Sequence, residues 1–312
     1  MNNIMAQGNT INSTGFINAE LSARWLTFLD ASPKTVQTYT RSIAQFVRWC
    51  EDKEIPRPTA EDIRAFRDEL SENRKPTTVN AYLMAVKQLY KWLEEEGISQ
   101  NVAKNVKAVK LDNDTFKKDY LTTDQCKSLM QSIDTETLSG KRDFAICALM
   151  VTTGMRDIEV MRADVGDIKT VGDFTALFYR GKGRSEKAKY KKLAPVVEKA
   201  IRDYLRARGK ADPAEPLFTS VANRNKGERM TTRSISRIVK TKLVSIGLDD
   251  DMHTAHSLRH TAGTQNLLNG GTLEETQALL DHKDINTTMI YVHSLSRANS
   301  RAEQRIADAI FC

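Results

Sequence analysis

The most informative stretch of the 312-residue chain lies near its C-terminus and begins with His256-Ser257-Leu258-Arg259-His260-Thr261. It continues through Leu280-Asp281-His282 to Thr287-Thr288-Met289-Ile290-Tyr291. A histidine and an arginine three residues apart share one face of a helix, so both can reach a single phosphate oxygen. A tyrosine has a pKa of about 10 and attacks phosphorus only where neighbouring cations accept its proton or stabilise the phenolate. The stretch is therefore typical of a phosphoryl-transfer site.

Two upstream segments add further groups of the same kind. Thr153-Gly154-Met155-Arg156-Asp157-Ile158-Glu159 follows an apolar run, and its arginine and glutamate lie one helical turn apart, where the carboxylate can orient the guanidinium. Gly181-Lys182-Gly183 places a lysine in a glycine-flanked turn. Each feature alone has an ordinary explanation, such as a surface ion pair or a core tyrosine. Together, two arginines, two histidines, a lysine and a tyrosine suit attack on a phosphodiester without a metal.

A zinc site is the alternative interpretation of the spacing of His253, His256 and His260. Arg259 would place a positive charge beside the metal, and no glutamate or cysteine ligand is near, so we expect no metal. The four cysteines show neither metal-ligand nor disulfide spacing. The sequence therefore indicates neither a structural zinc nor a disulfide scaffold.

The excess positive charge is concentrated in one segment. Lys and Arg outnumber Asp and Glu by 47 to 40, and this net charge of +7 indicates a polyanionic partner. Seven basic residues lie between positions 180 and 192, against Glu186 alone. Glycines and flanking apolar strands favour a structured turn that faces phosphate over a solvated loop. Within it, Lys182 fits a general acid that protonates a 5′-hydroxyl leaving group, with Lys187 and Lys189 as the alternatives.

The length and the hydrophobic pattern predict two domains joined by a linker. Residues 1–16 are polar without periodicity, which predicts a disordered arm. Residues 17–98 carry four helical stripes and form a compact helical domain. Residues 99–118 are predicted to be a basic linker, 119–297 the second domain, and 298–312 a last helix.

The second domain is predicted to be helical apart from a small sheet. Strand signals occur at residues 165–168, 174–179 and 190–194, which predicts three antiparallel strands. The fold class is therefore mostly α with a small antiparallel β-sheet. No apolar stretch approaches the roughly 20 residues that span a bilayer, so we expect a cytoplasmic protein without a membrane partner.

The four quoted segments, in this order and spacing, resemble the motifs of the tyrosine recombinase (phage integrase) family. Residues 17–98 also resemble the helical, SAM-like core-binding domain of that family. The resemblance implies a two-domain, C-shaped clamp around duplex DNA, with a mixed α/β catalytic domain at residues 119–297. Asp281 stands where the family usually has glycine, and because aspartate tolerates left-handed backbone geometry, only the detail of the turn before His282 is affected.

The resemblance also implies a role for each residue of the set. Tyr291 would be the nucleophile, Arg156 and Arg259 the phosphate clamp, and Lys182 the general acid. His256 would be the base or proton shuttle, and His282 would donate a hydrogen bond to the phosphate. Glu159 and His260 would be supporting groups. Strand exchange would proceed through a 3′-phosphotyrosyl intermediate and a Holliday junction. The phosphotyrosyl bond conserves the phosphodiester energy, so neither ATP nor another cofactor nor a metal is implied.

The implied partners are duplex DNA with a specific recombination site and three further copies of the chain. Members of the family form a homotetramer on DNA and are monomers or dimers in its absence. An accessory directionality protein is an optional further partner. The resemblance further implies a nucleoid-associated protein of a bacterium, phage or mobile element, whose helix at 298–312 docks in trans. Further DNA contacts are predicted at helix starts, on exposed helix faces and in the basic turn. The residues are Arg41, Thr77, Thr78, Asn80, Lys87, Arg184, Arg233 and Arg237.

Several functions share this chemistry. Integration, excision, dimer resolution and inversion are not distinguished by the sequence. A type IB topoisomerase-like nicking and closing enzyme would use the same nucleophile, and a DNA-binding regulator without activity could keep the same residues in structural roles. The small helical first domain and the C-terminal tail favour a recombinase that assembles as a multimer.

Overall fold

The chain folds into two compact units, residues 1–114 and 115–312. Helices predominate in the computed structural model, together with one three-stranded antiparallel sheet, so the predicted fold class is confirmed. No helix of the described part of the chain is long and apolar enough to cross a membrane. The residues that the structure describes are 15–111, 119–181, 186–298 and 302–311.

Four helices form the described part of the first unit, and their starts follow from short polar and proline signals in the sequence. Asn18, Ser32 and Thr59 each accept a hydrogen bond from the backbone N–H three residues later, which caps the first three helices. Proline occupies the first helical position of the second and fourth helices, where its missing N–H costs nothing. The helices are α1 (Ala19–Phe28), α2 (Pro33–Asp52), α3 (Ala60–Asn73) and α4 (Pro76–Glu95).

Aromatic side chains dominate the core of the first unit. Phe46 and Phe66 pack edge to face with ring centroids 5.0 Å apart, and Trp49 lies 5.5 Å from Phe66. Trp25 of α1 and Tyr90 of α4 are almost completely buried. All four helices therefore share one hydrophobic core.

Both predicted edges of the first domain need correction. Phe16, assigned to a disordered arm, donates its backbone N–H to Pro56 at 3.0 Å, and Arg57 lies over its ring. Ala103 and Val106, assigned to the linker, are buried in the core of the first unit. Two apolar residues three positions apart are too few to form a recognisable stripe, which is why the sequence suggested a linker. Residues 1–14 and 112–118 lie outside the described residues.

The second unit is organised around one central helix. Residues 145–150 of this helix, α6 (Leu138–Thr153), are all buried, and it packs against α8 and α10. The described part of this unit also contains two short 3₁₀ turns, Val165–Asp167 and Asn223–Asn225, and the other helices of the second unit. They are α5 (Thr123–Gln131), α7 (Asp157–Arg162), α8 (Pro195–Arg208), α9 (Thr232–Ser245), α10 (Ala255–Leu268), α11 (Leu273–Leu280), α12 (Asn286–Ala298) and α13 (Ala302–Phe311).

The sheet runs in the order β1 (Ile168–Val171), β2 (Phe174–Tyr179) and β3 (Lys189–Lys192). The first strand starts three residues later than predicted. The Asp167 carboxylate accepts the backbone N–H of Asp164 at 2.7 Å and thereby stabilises a helical turn before the strand begins. Strands β2 and β3 form a hairpin whose last paired residues are Tyr179 and Lys189.

Candidate active site

Gly154 ends the central helix α6 in a left-handed conformation, with φ of 63°. A Cβ at this position would lie 2.6 Å from Cδ2 of Leu280, so the site requires glycine for its backbone angle and for its size. The turn places Arg156 at the start of α7. Helix α6 thus ends where the predicted residues converge.

Glu159 orients Arg156 from a buried position, as the spacing in the sequence suggested. One oxygen of its carboxylate accepts the backbone N–H of Arg156 at 2.8 Å, and the other accepts Nη1 at 2.9 Å. Glu159 is only 3% exposed, whereas Arg156 is partly exposed. One end of the guanidinium is therefore fixed, and its other donors remain for a ligand.

Arg259 joins two helix ends from within the core. Its Nη1 donates to the Gly154 carbonyl oxygen at 2.6 Å, and its Nη2 donates to the carbonyl oxygen of Leu280 at the end of α11. Burial and the charge of Arg156 lower the pKa of Arg259 to about 10, so the side chain is still charged at neutral pH. Three of its five N–H donors remain after these two bonds.

Tyr291, on α12, is 3% exposed. Its hydroxyl oxygen lies 3.0 Å from Nδ1 of His260, and its ring stacks on His282 with centroids 6.4 Å apart. Burial raises the pKa of Tyr291 to about 12, although the charges of Arg259 and Arg156 act to lower it. The tyrosine is thus protonated at neutral pH, and the positive charges of both arginines favour its ionised form.

Two histidines contact this tyrosine, and a third, His256, contacts one of them. Burial, followed by His256 and nearby charges, lowers the pKa of His260 to about 4. Burial and the charges of Arg259 and Arg156 lower the pKa of His282 to about 4, and its Nδ1 lies 2.9 Å from Oγ1 of Thr288. His256 is exposed, and its ring centroid lies 4.7 Å from that of His260. His260 and His282 are therefore neutral near pH 7.

Gly263 provides the space for the tyrosine ring. A Cβ at this position of α10 would lie 2.8 Å from Cδ1 of Leu280 and 3.2 Å from Cε1 of Tyr291. Glycine at position 263 therefore leaves the ring its room. Its contact with a residue 28 positions later emerges only when α10 packs against α12.

The basic hairpin is held by carboxylates. Lys187 pairs with Asp164 at 2.6 Å and also with Asp167. Lys189 pairs with Asp281. Lys182 and Arg184 lie outside the described residues. Both alternative candidates for the general acid are therefore engaged in ion pairs.

Lys191 is a buried residue of the site that the sequence analysis missed. Its ammonium group donates to the carbonyl oxygen of Leu279, and it is 6% exposed. Burial lowers the pKa of Lys191 to about 8, although Asp281 and Glu159 act to raise it. Its position two residues after Lys189 on one strand was the available signal, because alternate residues of a strand share a face.

The predicted DNA contacts of the first unit fall into two groups. Arg41 on α2 and Thr77 and Thr78 at the start of α4 line one surface depression of about 310 Å³. By contrast, the Asn80 amide binds the backbone of Val109, donating at 2.9 Å and accepting at 2.8 Å. Asn80 thus holds the end of its own unit in place, and we exclude it from the candidate interface.

The remaining predicted contacts occupy helix surfaces. Lys87 is half-buried on α4, whereas Arg233 and Arg237 are exposed on α9. His253, considered as a zinc ligand, lies with Nδ1 2.8 Å from a carboxylate oxygen of Asp250. Within the described ranges, no group of three or more His, Cys, Asp or Glu residues is placed to hold a metal ion.

Both units match known sequence families. A sequence model of the phage integrase family matches residues 119–297, and one of the phage integrase N-terminal SAM-like domain matches residues 21–100. The tyrosine recombinase XerC of Caldanaerobacter subterraneus subsp. tengcongensis is 33% identical over 175 residues, covering 56% of this chain and 47% of that protein. XerC of Corynebacterium glutamicum is 35% identical over 153 residues, 49% of this chain and 46% of that protein. The chain spans about half the length of these relatives.

Solved structures share the fold across both units. The XerH site-specific recombinase bound to palindromic difH substrate, in a post-cleavage complex, has a TM-score of 0.70 at 19% identity, covering 93% of this chain and 83% of that one. A lambda integrase dimer bound to a COC′ core site has a TM-score of 0.66 at 15% identity, covering 87% of this chain and 76% of that one. At these identities, the similarity concerns the fold.

Proposed function

Because the chain belongs to the phage integrase family, we propose that it is a site-specific tyrosine recombinase that cuts and rejoins duplex DNA. The observation that carries the proposal is the environment of Tyr291, whose hydroxyl contacts His260 and whose pKa responds to both Arg259 and Arg156. Arg259 is buried and charged beside this tyrosine, and a buried charge is costly without a group of opposite charge to compensate for it. The non-bridging oxygens of a phosphodiester supply that charge.

The proposed reaction is an in-line displacement at phosphorus. Oη of Tyr291 forms a bond to the scissile phosphorus, and the bond from phosphorus to the 5′ oxygen breaks, which leaves a 3′-phosphotyrosyl intermediate. The unoccupied N–H donors of Arg156 and Arg259, together with His282, stabilise the non-bridging oxygens. Each preorganised donor of this kind contributes roughly 10²–10³ in rate. Rejoining reverses the same steps with a new 5′-hydroxyl, so the phosphodiester energy is conserved without ATP or a metal.

The tyrosine proton has a direct route to solvent. Neutral His260 accepts it from Oη at 3.0 Å, and the exposed ring of His256 beside it passes the proton to bulk water. His256 thus serves as the shuttle and His260 as the immediate acceptor. General base catalysis of this kind contributes about 10²–10⁴ in rate.

Lys182 is the proposed general acid for the 5′ oxygen. The alternatives, Lys187 and Lys189, each hold a carboxylate, and breaking such a pair would precede any proton transfer from them. Lys182 precedes both of them in the sequence, within the residues that connect β2 and β3. The leaving oxygen takes one proton from its ammonium group.

We further propose roles for the two units and for the last helix. Residues 17–98 act as the core-binding domain, with Arg41, Thr77 and Thr78 on phosphates, and residues 119–297 act as the catalytic domain. Ile306, Ile310 and Phe311 of α13 are 60%, 66% and 83% exposed, which suits docking on a second copy of the chain. Four copies then synapse two DNA sites through a Holliday junction, and α13 couples assembly to activity.

Covalent capture tests the proposal and identifies the DNA site. The protein is incubated with sheared genomic DNA of its source organism and denatured in detergent, and the DNA that remains attached is sequenced. We expect wild type to capture a discrete site and Tyr291→Phe to capture none while retarding the same DNA in a gel. A wild-type protein that retards DNA without an adduct, or an equal adduct with Tyr291→Phe, contradicts the proposal.

The captured site also identifies the biological role. Two labelled duplexes carrying it should exchange strands, whereas a nicking and closing enzyme would relax supercoils without exchange. Integration or excision of a mobile element places the site at the element's ends, and dimer resolution places it once in a circular replicon.

A further inference from the structure

The imidazole ring of His282 is held in one orientation by three neighbours. Its Nδ1 lies 2.9 Å from Oγ1 of Thr288, and the ring stacks on that of Tyr291 with an interplanar angle of 16°. Gln277 fixes the backbone, because its carbonyl oxygen accepts the N–H of His282 at 3.1 Å and its side-chain amide donates to the His282 carbonyl oxygen at 3.2 Å. Nε2 has no hydrogen-bond partner among the described residues, so it is the nitrogen left for a ligand.

Thr288 lies in the first turn of α12, three residues before Tyr291, so the two side chains share one face of the helix. That face packs against His282, which contacts both of them. Thr288 is completely buried, at 0% exposure. One helix face therefore carries the proposed nucleophile and the polar group that binds Nδ1.

The surroundings of Thr288 determine which way its hydrogen bond runs. A completely buried hydroxyl group needs an acceptor for its hydrogen within the protein. Threonine hydroxyls in helices commonly donate to the carbonyl oxygen four residues earlier, as those of Thr261 and Thr276 do. In the described part of the chain, however, Nδ1 of His282 is the one hydrogen-bond partner of the Thr288 hydroxyl. The hydroxyl therefore donates, and Nδ1 accepts.

This direction fixes the position of the hydrogen on the ring. Burial and the charges of Arg259 and Arg156 lower the pKa of His282 to about 4, so the ring is neutral near pH 7 and carries one hydrogen. Because Nδ1 accepts, that hydrogen lies on Nε2. Protonation of Nδ1 would reverse the bond and leave the Thr288 hydroxyl without an acceptor among the described residues.

We propose that Thr288 is a positioning residue that selects the tautomer of His282 with its hydrogen on Nε2. The proposal rests on the proposed recombinase function, in which His282 donates a hydrogen bond to a non-bridging oxygen of the phosphate. The other neutral tautomer would present a lone pair from Nε2 to that oxygen and would repel it. Thr288 thus acts on the reaction through His282.

The tautomer can be measured directly in the wild-type protein without DNA. Nitrogen-15 NMR of protein labelled in its histidines distinguishes the two forms, because a ring nitrogen without a hydrogen resonates far downfield of one that carries it. The signals that disappear in His282→Gln identify those of His282. At neutral pH we expect the hydrogen on Nε2, and a hydrogen on Nδ1 would overturn the proposal. The measurement needs no substitution at Thr288, so it remains decisive if a variant fails to fold.

Two substitutions of Thr288 test the effect on the reaction. Thr288→Val keeps the shape of the side chain and removes the hydroxyl, whereas Thr288→Ser keeps the hydroxyl. A preorganised donor contributes roughly 10²–10³ in rate, so we expect Thr288→Val to slow single-turnover adduct formation on the captured DNA site by about tenfold or more. The His282 signals of this variant should show both tautomers. Thr288→Ser should react at close to the wild-type rate, and a wild-type rate for Thr288→Val would contradict the role.

A double-mutant cycle tests whether Thr288 acts through His282. The amide of glutamine offers an N–H donor near the position of Nε2 and has no tautomers, so Thr288→Val should add little to the defect of His282→Gln. An equal slowing by Thr288→Val in both backgrounds would show that the threonine acts elsewhere, and the proposal would then be wrong.

Thr152→Val is the matched control. It removes a hydroxyl that donates to the Ala148 carbonyl oxygen at 2.7 Å within α6, and it should leave the rate and the His282 signals unchanged. Failure of the proposed function gives a different result, since wild type would then form no adduct, whereas the tautomer of His282 is measured without DNA.

Discussion

The hydroxyl oxygen of Tyr291 lies 3.0 Å from Nδ1 of His260, a contact that joins helices α12 and α10. The pKa of the tyrosine is raised to about 12 by burial, and that of the histidine is lowered to about 4, also by burial. At neutral pH both groups are therefore uncharged, and Nδ1 accepts the hydroxyl hydrogen in the histidine tautomer that carries its own hydrogen on Nε2. The proposed nucleophile is therefore held in place beside a possible acceptor for its proton, and it is not ionised.

The first prediction concerns this acceptor. His260→Leu removes it, and we expect the single-turnover rate of adduct formation to fall by about 10² while DNA binding is retained. His260→Asn can still accept the hydroxyl hydrogen bond but cannot take up the proton, so it should restore only part of the rate. Quench-flow measurement of the adduct, with gel retardation as the binding control, checks both. Wild-type rates for His260→Leu would contradict the role.

The second prediction concerns stability against pH. Burial is the main cause that lowers the pKa of His260 and of His282 to about 4, whereas the ordinary value is 6.5. Between these values the unfolded chain binds more protons than the folded chain, so stability falls as the pH is lowered from about 6.5 towards 4. We expect the melting temperature to fall on acidification, and to fall less steeply for His260→Asn. Circular dichroism melts measure the melting temperature of wild type and of His260→Asn at each pH. Equal slopes of melting temperature against pH for the two proteins would contradict the assignment.

The sequence alone predicted the fold class, and the structure confirms it. Four helical stripes in residues 17–98 predicted the helices of the first unit, and three strand signals predicted the sheet. The structure brings Arg156, Arg259, His282 and Tyr291 to one place. These residue types are informative because phosphate chemistry needs cations and a nucleophile together.

Contacts between residues that lie far apart along the chain could not be predicted from the sequence. Asp281 meets Tyr179 and Lys189 across 102 and 92 positions of the chain, and no local pattern encodes such pairs. The position of Asp281 was recognised as a departure from the family, but the partner of its carboxylate was not. Likewise, Asn80 was assigned to DNA from its place on a helix surface, whereas packing of the following segment places Val109 against it. Side-chain partners of this kind depend on tertiary packing.

The third prediction concerns the glycine beneath the tyrosine. Alanine usually stabilises a helix interior by about 1 kcal/mol relative to glycine. At Gly263, however, the added methyl group would lie 2.8 Å from Leu280 and 3.2 Å from the ring of Tyr291. We expect Gly263→Ala to slow adduct formation by about tenfold to a hundredfold through displacement of the ring.

Gly172→Ala is the matched control for this variant. Gly172 has φ of 60° in the turn between β1 and β2, and a Cβ there would meet nothing within 4 Å. Alanine should cost about 1 kcal/mol of stability there without changing the rate. Melting temperatures and single-turnover rates of both variants separate the two effects. A wild-type rate of adduct formation for Gly263→Ala would contradict the prediction, because the added methyl group would then not displace the ring of Tyr291.

The fourth prediction separates the two arginines. Arg259 is buried and bridges the carbonyl oxygens of Gly154 and Leu280, whereas Arg156 is partly exposed and binds Glu159 through its side chain. Lysine cannot form the two-pronged contact, so Arg259→Lys should lose about 1.5–3 kcal/mol of stability, and Arg156→Lys less than about 1 kcal/mol. Both should slow adduct formation by about 10² or more, because each removes a donor to the phosphate. Chemical denaturation without DNA measures the difference in stability between the two variants. Equal destabilisation by the two variants would mean that Arg259 does not brace the helix ends, and its burial would then need another cause.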